Sequence, residues 1–163
     1  MKRNIVERLT GRLRRFARAL HADQPEGAAD DLVRETIEAA LTARDTVERS
    51  DIRICLFHHM VDKARAAQKD KPAPAAIAAA DPDMPDMIAA LANLRFEERT
   101  AYLLVALEEF GYADAATVMR IPYDVLATRV AQARMRIDDF FEEASRRSSA
   151  TRGTPPGHLR IVK

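Results

Sequence analysis

The stretch FGYADAATVMRIPYDVLATRVAQARMR, residues 110–136, decides how the chain is read. Apolar residues recur at helical spacing on both sides of an Ile-Pro pair, with Ala115, Ala116, Val118 and Met119 before it and Leu126 and Val130 after it. Proline lacks the donor that a helix interior needs but suits a helix start. Ile121 and Pro122 therefore mark a tight turn between two helices. This helix-turn-helix layout suits a second helix that lies in the DNA major groove. Here that helix opens on Tyr123, Asp124 and Val125, an acidic and apolar start for such a task.

Outward from this stretch, the composition favours helix throughout. Ala and Leu are abundant, Gly totals 5, Trp is absent and runs of β-branched residues are few, so an all-α protein is expected. The single Cys55 has no partner for an intramolecular disulfide. The N-terminal MKRNIVERLTGRLRRFARAL is amphipathic where a signal peptide needs a continuous apolar core. No apolar run approaches the roughly 18 residues of a membrane span. The expected location is the cytoplasm.

The formal net charge of +1 is the balance of blocks of opposite sign. Residues 1–20 carry seven basic and one acidic side chain, and residues 21–50 three and eight. Residues 81–114 carry two and eight, and residues 115–137 four and one. Basic blocks of this kind can face a polyanion and acidic ones a basic partner. The plainer reading of each block is a solvated helix face.

Three helices are expected first. Ile5, Leu9, Leu13, Phe16 and Leu20 form one apolar stripe. Pro25 and Gly27 break it, and a second stripe follows with Leu32, Ile37, Ala40 and Leu41. Ser50 can cap a third helix, with Leu56, Phe57, Met60, Val61 and Ala64 inward. Pro72, Pro74, Pro82 and Pro85 mark residues 71–86 as a Pro/Ala-rich linker between two small helical domains, residues 1–70 and 87–145. After Phe141 the chain turns polar and rich in Ser, Gly and Pro, and residues 146–163 are expected as a disordered tail.

LRRFARAL followed by AADDLVRETIEAAL, and then DIRICLFHHMVDKAR, resembles region two of the extracytoplasmic-function sigma factors. ALANLRFEERTAYLLVALEEFGYADAATVMRIP resembles their region four, and the two motifs follow in the family's order over residues 10–137. The resemblance implies a region two bundle joined to a region four helix-turn-helix. It also implies partners, namely core RNA polymerase, promoter DNA and an anti-sigma factor. Asp30, Asp31, Arg34 and Glu35 stand at the family's polymerase-binding signature, with Arg34 in place of Gln. Asp62, Lys63, Arg65 and Lys69 stand where the minus-ten element is met. Tyr123, Thr128, Arg129, Gln132 and Arg134 stand where the minus-thirty-five element is read, and Arg136 can add a phosphate contact.

The chain departs from that family at telling places. Cys55 replaces a Trp, Asp62 an Asn, Arg120 the turn Gly, Asp124-Val125 a Gly-Thr pair and Ala127 a Lys. An ionised carboxylate repels phosphates, and the loss of one Lys contact flattens the salt dependence of DNA binding by about one unit. Two functions are carried forward. The first is an alternative sigma factor of the kind serving the general stress response, to which LRRFARAL is similar. The second is a sigma mimic that sequesters an anti-sigma factor with little DNA binding. Alphaproteobacterial mimics of that type are fused to a phospho-receiver, for which these residues leave no room.

No cofactor, metal or small-molecule substrate is expected. Cys55, His59 and Asp62 share one helix face with His58 nearby, but a single helix supplying a whole zinc site would be strained. A buried thiol and two ordinary histidines is the preferred reading. No Gly-rich phosphate loop and no Ser, His and Asp arrangement points to an enzyme.

Overall fold

A computed structural model describes residues 2–22, 24, 27–42, 51–68 and 86–152. All seven elements among them are helices. The apolar stripe of α1 (Lys2–Leu20) buries Leu13, Phe16, Ala17 and Leu20, four positions that fall on one side of a 3.6-residue helix. α2 (Ala28–Thr42) carries Asp30 and Asp31 in its first turn, where negative charge favours the free backbone N–H groups. It turns Leu32, Val33 and Thr36 inward, and the Thr36 hydroxyl donates to the Leu32 carbonyl at 2.7 Å, which satisfies it inside the core. α3 (Asp51–Gln68) packs on both through Leu56, Phe57, Met60, Val61 and Ala64. Ser50, Lys69 and all but the last residue of the expected 71–86 linker lie outside the described residues.

The second half comprises α4 (Asp86–Ala92), α5 (Phe96–Ala106), α6 (Tyr112–Met119) and α7 (Tyr123–Arg152). α5 and α6 lie against α7, whose Leu126, Val130, Ala133 and Ile137 recur at three- and four-residue steps and are buried. The expected turn falls at Arg120, whose φ of 53° and ψ of 48° are left-handed. Its N–H reaches back to the Ala116 and Thr117 carbonyls, and the Ile121 N–H donates to the Ala116 carbonyl at 3.1 Å. This double closure ends α6 as glycine-capped helices end, with an arginine bearing the strain. Pro122 then leads into α7 at Tyr123.

α7 continues to Arg152, through seven residues assigned to the tail from composition. Its 30 residues span about 45 Å at ~1.5 Å per residue. Glu142 receives Arg146 at 3.0 Å and Glu143 receives Arg147 at 2.7 Å, each acid four residues ahead of its base. Such pairs favour helix in a stretch that no core holds. The Glu143 carboxyl is held below its usual range, first by the hydrogen bond from Arg147 and then by that side chain's charge. Residues 153–163 lie outside the described residues.

The two halves share one hydrophobic core. α3 packs on α6, and α1 on α5. Phe57 stands between them, edge-on to Phe16 and to Phe110 with ring centroids 5.2 Å apart in each pair. Each such aromatic pair contributes about 0.5–1.5 kcal/mol beyond the area it buries. No described helix is long and apolar enough to cross a membrane.

Candidate functional site

α5 ends in a tight loop that enters the first module. The Glu108 N–H donates to the Leu103 carbonyl at 3.0 Å and the Phe110 N–H to the Leu104 carbonyl at 3.0 Å, while Glu109 adopts a left-handed φ of 55°. The turn drives the Glu108 side chain inward to 0% exposure. Arg12 of α1 donates from Nε to Oε2 at 2.8 Å and from a terminal nitrogen to the Glu108 carbonyl at 2.8 Å. Arg15 donates to Oε1 at 3.1 Å and to the Leu107 carbonyl at 3.1 Å. Arg53 of α3 donates to the Glu108 carbonyl and lies over the Phe110 ring, 3.9 Å from its centroid. Three guanidiniums thus satisfy both a buried carboxylate and the carbonyls at the negative end of α5. The crowding has a cost at Arg53, whose affinity for its proton is lowered by burial and then by the charge of Arg12.

A second carboxylate ties α3 to α7. Glu97, in the first turn of α5, receives Arg65 as a two-pronged pair, Nε to Oε1 at 2.7 Å and a terminal nitrogen to Oε2 at 3.1 Å. Arg129 of α7 donates to Oε2 as well, at 2.8 Å. The hydrogen bond that Arg65 donates to Glu97 is the main reason that the Arg65 pKa is raised. Beside it, His58 Nδ1 lies 2.8 Å from the Val118 carbonyl in the last turn of α6. A carbonyl only accepts, so Nδ1 carries the proton there. Nε2 of the same ring is 3.1 Å from Asp62, which also meets Arg65 at 3.2 Å and Arg120 at 4.0 Å.

These contacts redistribute the residues singled out from sequence. Asp30, Asp31, Arg34 and Glu35 all lie exposed on the outer face of α2. Asp31 receives Arg34 at 2.9 Å, and Arg14 lies 4.0 Å from Asp30. Lys63 joins that face, 3.4 Å from Glu35. Asp62 and Arg65 belong instead to the seam between the modules, and Arg129 joins them there through Glu97. Tyr123 is 60% exposed with its ring 5.9 Å from that of Tyr112, and Gln132 and Arg134 face solvent on α7. The Thr128 hydroxyl donates to the Asp124 carbonyl of its own helix at 2.9 Å. Arg136 lies 3.4 Å from Glu98. Cys55 is half-buried, and among the described residues no three His, Cys, Asp or Glu side chains gather as metal ligands would.

Sequence reasoning missed Glu97, Glu108, His58 and the trio Arg12, Arg15 and Arg53. A signal for the carboxylates was present. The most basic block, residues 1–20, and the most acidic, residues 81–114, are read from sequence as solvated faces or as faces for an outside partner, whereas Arg12 and Arg15 of the first hold Glu108 of the second.

Comparison with known proteins fits this arrangement. One matching family model describes the Sigma2 domain of PhyR, over residues 6–61. Another describes the sigma-like domain of the response regulator PhyR, over residues 91–139. No curated protein matches. Among solved structures, the PhyRSL–NepR complex from Sphingomonas sp. Fr1 is 29% identical, with 82% of this chain and 85% of that one covered and a TM-score of 0.62. The sigma factor RpoE, solved with the anti-sigma factor NepR from Bartonella quintana, is 22% identical over 86% of this chain and 96% of that one, with a TM-score of 0.66. The anti-anti-sigma factor PhyR, solved with NepR from the same organism, is 21% identical with a TM-score of 0.63; 85% of this chain is covered but only 50% of that one.

The chain therefore has a sigma-like fold. Within that class, both matching models are PhyR domains, and the 29%-identical structure is a complex of a PhyR segment with NepR. These findings overturn the expectation of a sigma factor that brings core polymerase to promoters and starts transcription. RpoE shares the fold alone. The expected partners core RNA polymerase and promoter DNA, and the description of the chain as DNA-binding, fall with it. The residues give a physical reason. Arg65 and Arg129, expected at the two promoter elements, are held by Glu97 in the seam, and Asp62 lies against Arg65 and Arg120.

Proposed function

We propose that the chain is a sigma mimic that binds an anti-sigma factor of the NepR kind and so frees a genuine sigma factor. The observation that carries this reading is the match of both modules to PhyR sigma-like models, on a fold whose seam occupies Arg65 and Arg129 internally. A mimic needs only the surface that an anti-sigma factor covers, and promoter contacts add nothing to that task. The reading is regulatory rather than catalytic.

The exposed charges of α2, Asp30, Asp31, Arg34 and Glu35, fit a protein-facing role in this scheme, because the core makes no use of them. They serve here as contacts for a basic patch on the anti-sigma factor instead of for polymerase. The test is calorimetric titration of the purified chain with a NepR-type anti-sigma factor, beside run-off transcription with core polymerase. Tight association with no promoter-specific transcript is expected. Transcripts from defined start sites, or no association, would overturn the reading.

A further inference from the structure

Past Ile137 no described side chain of α7 is buried, yet the helix runs on to Arg152. Residues 138–152 thus overhang the core by about 22 Å, at ~1.5 Å per residue. Helices in proteins are held mostly by packing of one face, and this stretch has no core to pack on. Phe140 and Phe141 stand at its root, half-buried, with ring centroids 5.8 Å apart. Beside them an open cleft of about 520 Å³ follows the helix, lined by Asp138, Phe141, Glu142, Ser145 and Arg146. Those positions recur at steps of three and four and so share one side.

The charge along the overhang changes sign at Ala144. Asp138, Asp139, Glu142 and Glu143 precede it, and Arg146, Arg147 and Arg152 follow. Glu142 already meets Arg146, and Glu143 meets Arg147, but these four side chains are 62–76% exposed, and Asp138 and Asp139 stand outside both pairs. A carboxylate accepts at two oxygens and a guanidinium donates five N–H groups, so such pairs can be shared with a second molecule without being broken.

We propose that residues 138–152 form a self-association face, on which the same segment of a second copy lies antiparallel about a two-fold axis. That direction sets each acidic block against the basic block of the other copy, twice over, whereas a parallel one sets like charge against like. Phe141 of each copy supplies apolar area between the charges. A formal net charge of +1 puts little repulsion between copies. With ~15 residues a side, the contact is smaller than the ~20–30 of a stable interface, so the dimer is weak and reversible. The inference goes beyond anti-sigma binding and is read on the chain alone, so either can fail while the other stands.

Sedimentation equilibrium of the full chain over about a hundredfold range of concentration should show monomer passing into dimer, with the dimer weakened by added salt. Glu142→Arg with Glu143→Arg places base opposite base, and Arg146→Glu with Arg147→Glu places acid opposite acid. Each double variant alone should stay monomeric over that range. Mixed in equal amounts they should form a heterodimer, because each block again meets the opposite sign. A parent that stays monomeric throughout would overturn the proposal. So would variants that dimerise like the parent, or that stay monomeric when mixed although circular dichroism shows their helix content intact. Should either variant lose helix, Asp138→Asn with Asp139→Asn decides, since it leaves both Glu–Arg pairs in place. A dimer weakened by about threefold or more supports the face, and an unchanged dimer overturns it.

Discussion

The seam between the modules and the outer face of α2 are built from the same chemistry, arginine and lysine against carboxylate, yet they do different work. At the seam Glu108 has no contact with solvent and each oxygen has a guanidinium partner. On α2, Asp31 and Arg34 are 63% and 66% exposed, and their hydrogen bond forms in water. Taking a carboxylate out of water costs several kcal/mol and makes its partners indispensable, whereas an exposed pair is worth about 0–1 kcal/mol. The difference separates charges that hold the two halves together from charges left for another molecule.

The largest effect should come from breaking the seam. Glu108→Ala takes the carboxylate from Arg12 and Arg15 and keeps the backbone carbonyl that Arg53 meets. Loss of one partner from a fully buried pair costs about 3–5 kcal/mol, and the 35% and 54% exposure of the two arginines sets the cost here at about 3 kcal/mol. Urea unfolding should show a lower midpoint. A midpoint within error of the parent would mean that the clamp is incidental to the closed arrangement.

His58→Ala tests the middle of the range. It leaves the Val118 carbonyl, at the end of α6, without the ring N–H that reaches it from α3. An acceptor stranded in this way costs about 1–3 kcal/mol, and the site is a buried one, with Val118 at 0% and the His58 side chain at 12% exposure. His58→Gln offers an amide N–H in its place and should recover part of the loss. Equal destabilisation by both variants would show that packing of the ring, and not the cap on α6, is what matters.

Much of the fold was legible because burial follows periodicity. The stripes Leu13, Phe16 and Leu20, and Leu126 and Val130, were read from spacing and are buried. The turn at Pro122 was equally plain, since proline states its geometry locally. The end of α7 was misjudged because composition weighs Ser and Gly more than it weighs two Glu–Arg pairs at helical spacing. Opposite-sign blocks were visible in the sequence, but which residues of them pair in the seam was illegible for another reason. Nothing in the sequence around Glu108 shows that Arg12, 96 residues earlier, will meet it, since only the tertiary fold brings the two blocks together. The function was misread because resemblance carried over the roles of a family while the departures at Asp62 and Arg120 were weighed singly. In the structure those two face each other across the seam at 4.0 Å, so part of what looked like erosion of a DNA face lies at a contact between modules.

The smallest effect on stability should come from α2, and it is the most informative about function. Asp31→Arg combined with Glu35→Arg removes the bond from Arg34 and the approach of Lys63, exposed pairs worth about 0–1 kcal/mol together with their helix context. Asp31 also sits in the first turn of α2, where its charge favours the free N–H groups by a further few tenths of a kcal/mol, so the melting temperature should fall only slightly. Binding should respond far more. Reversing two charges changes the local charge by four units on a helix that carries exposed Asp30, Asp31, Glu35 and Glu38 against Arg34. A partner that covers such a face must bring basic groups, and like charges opposed at an interface cost several kcal/mol. Stopped-flow association with a NepR-type anti-sigma factor should slow by about tenfold or more at low salt, with the difference shrinking as salt is raised. If the rate and its salt dependence match the parent while the fold is intact, α2 lies outside the interface, and the anti-sigma factor must be held elsewhere on the two modules.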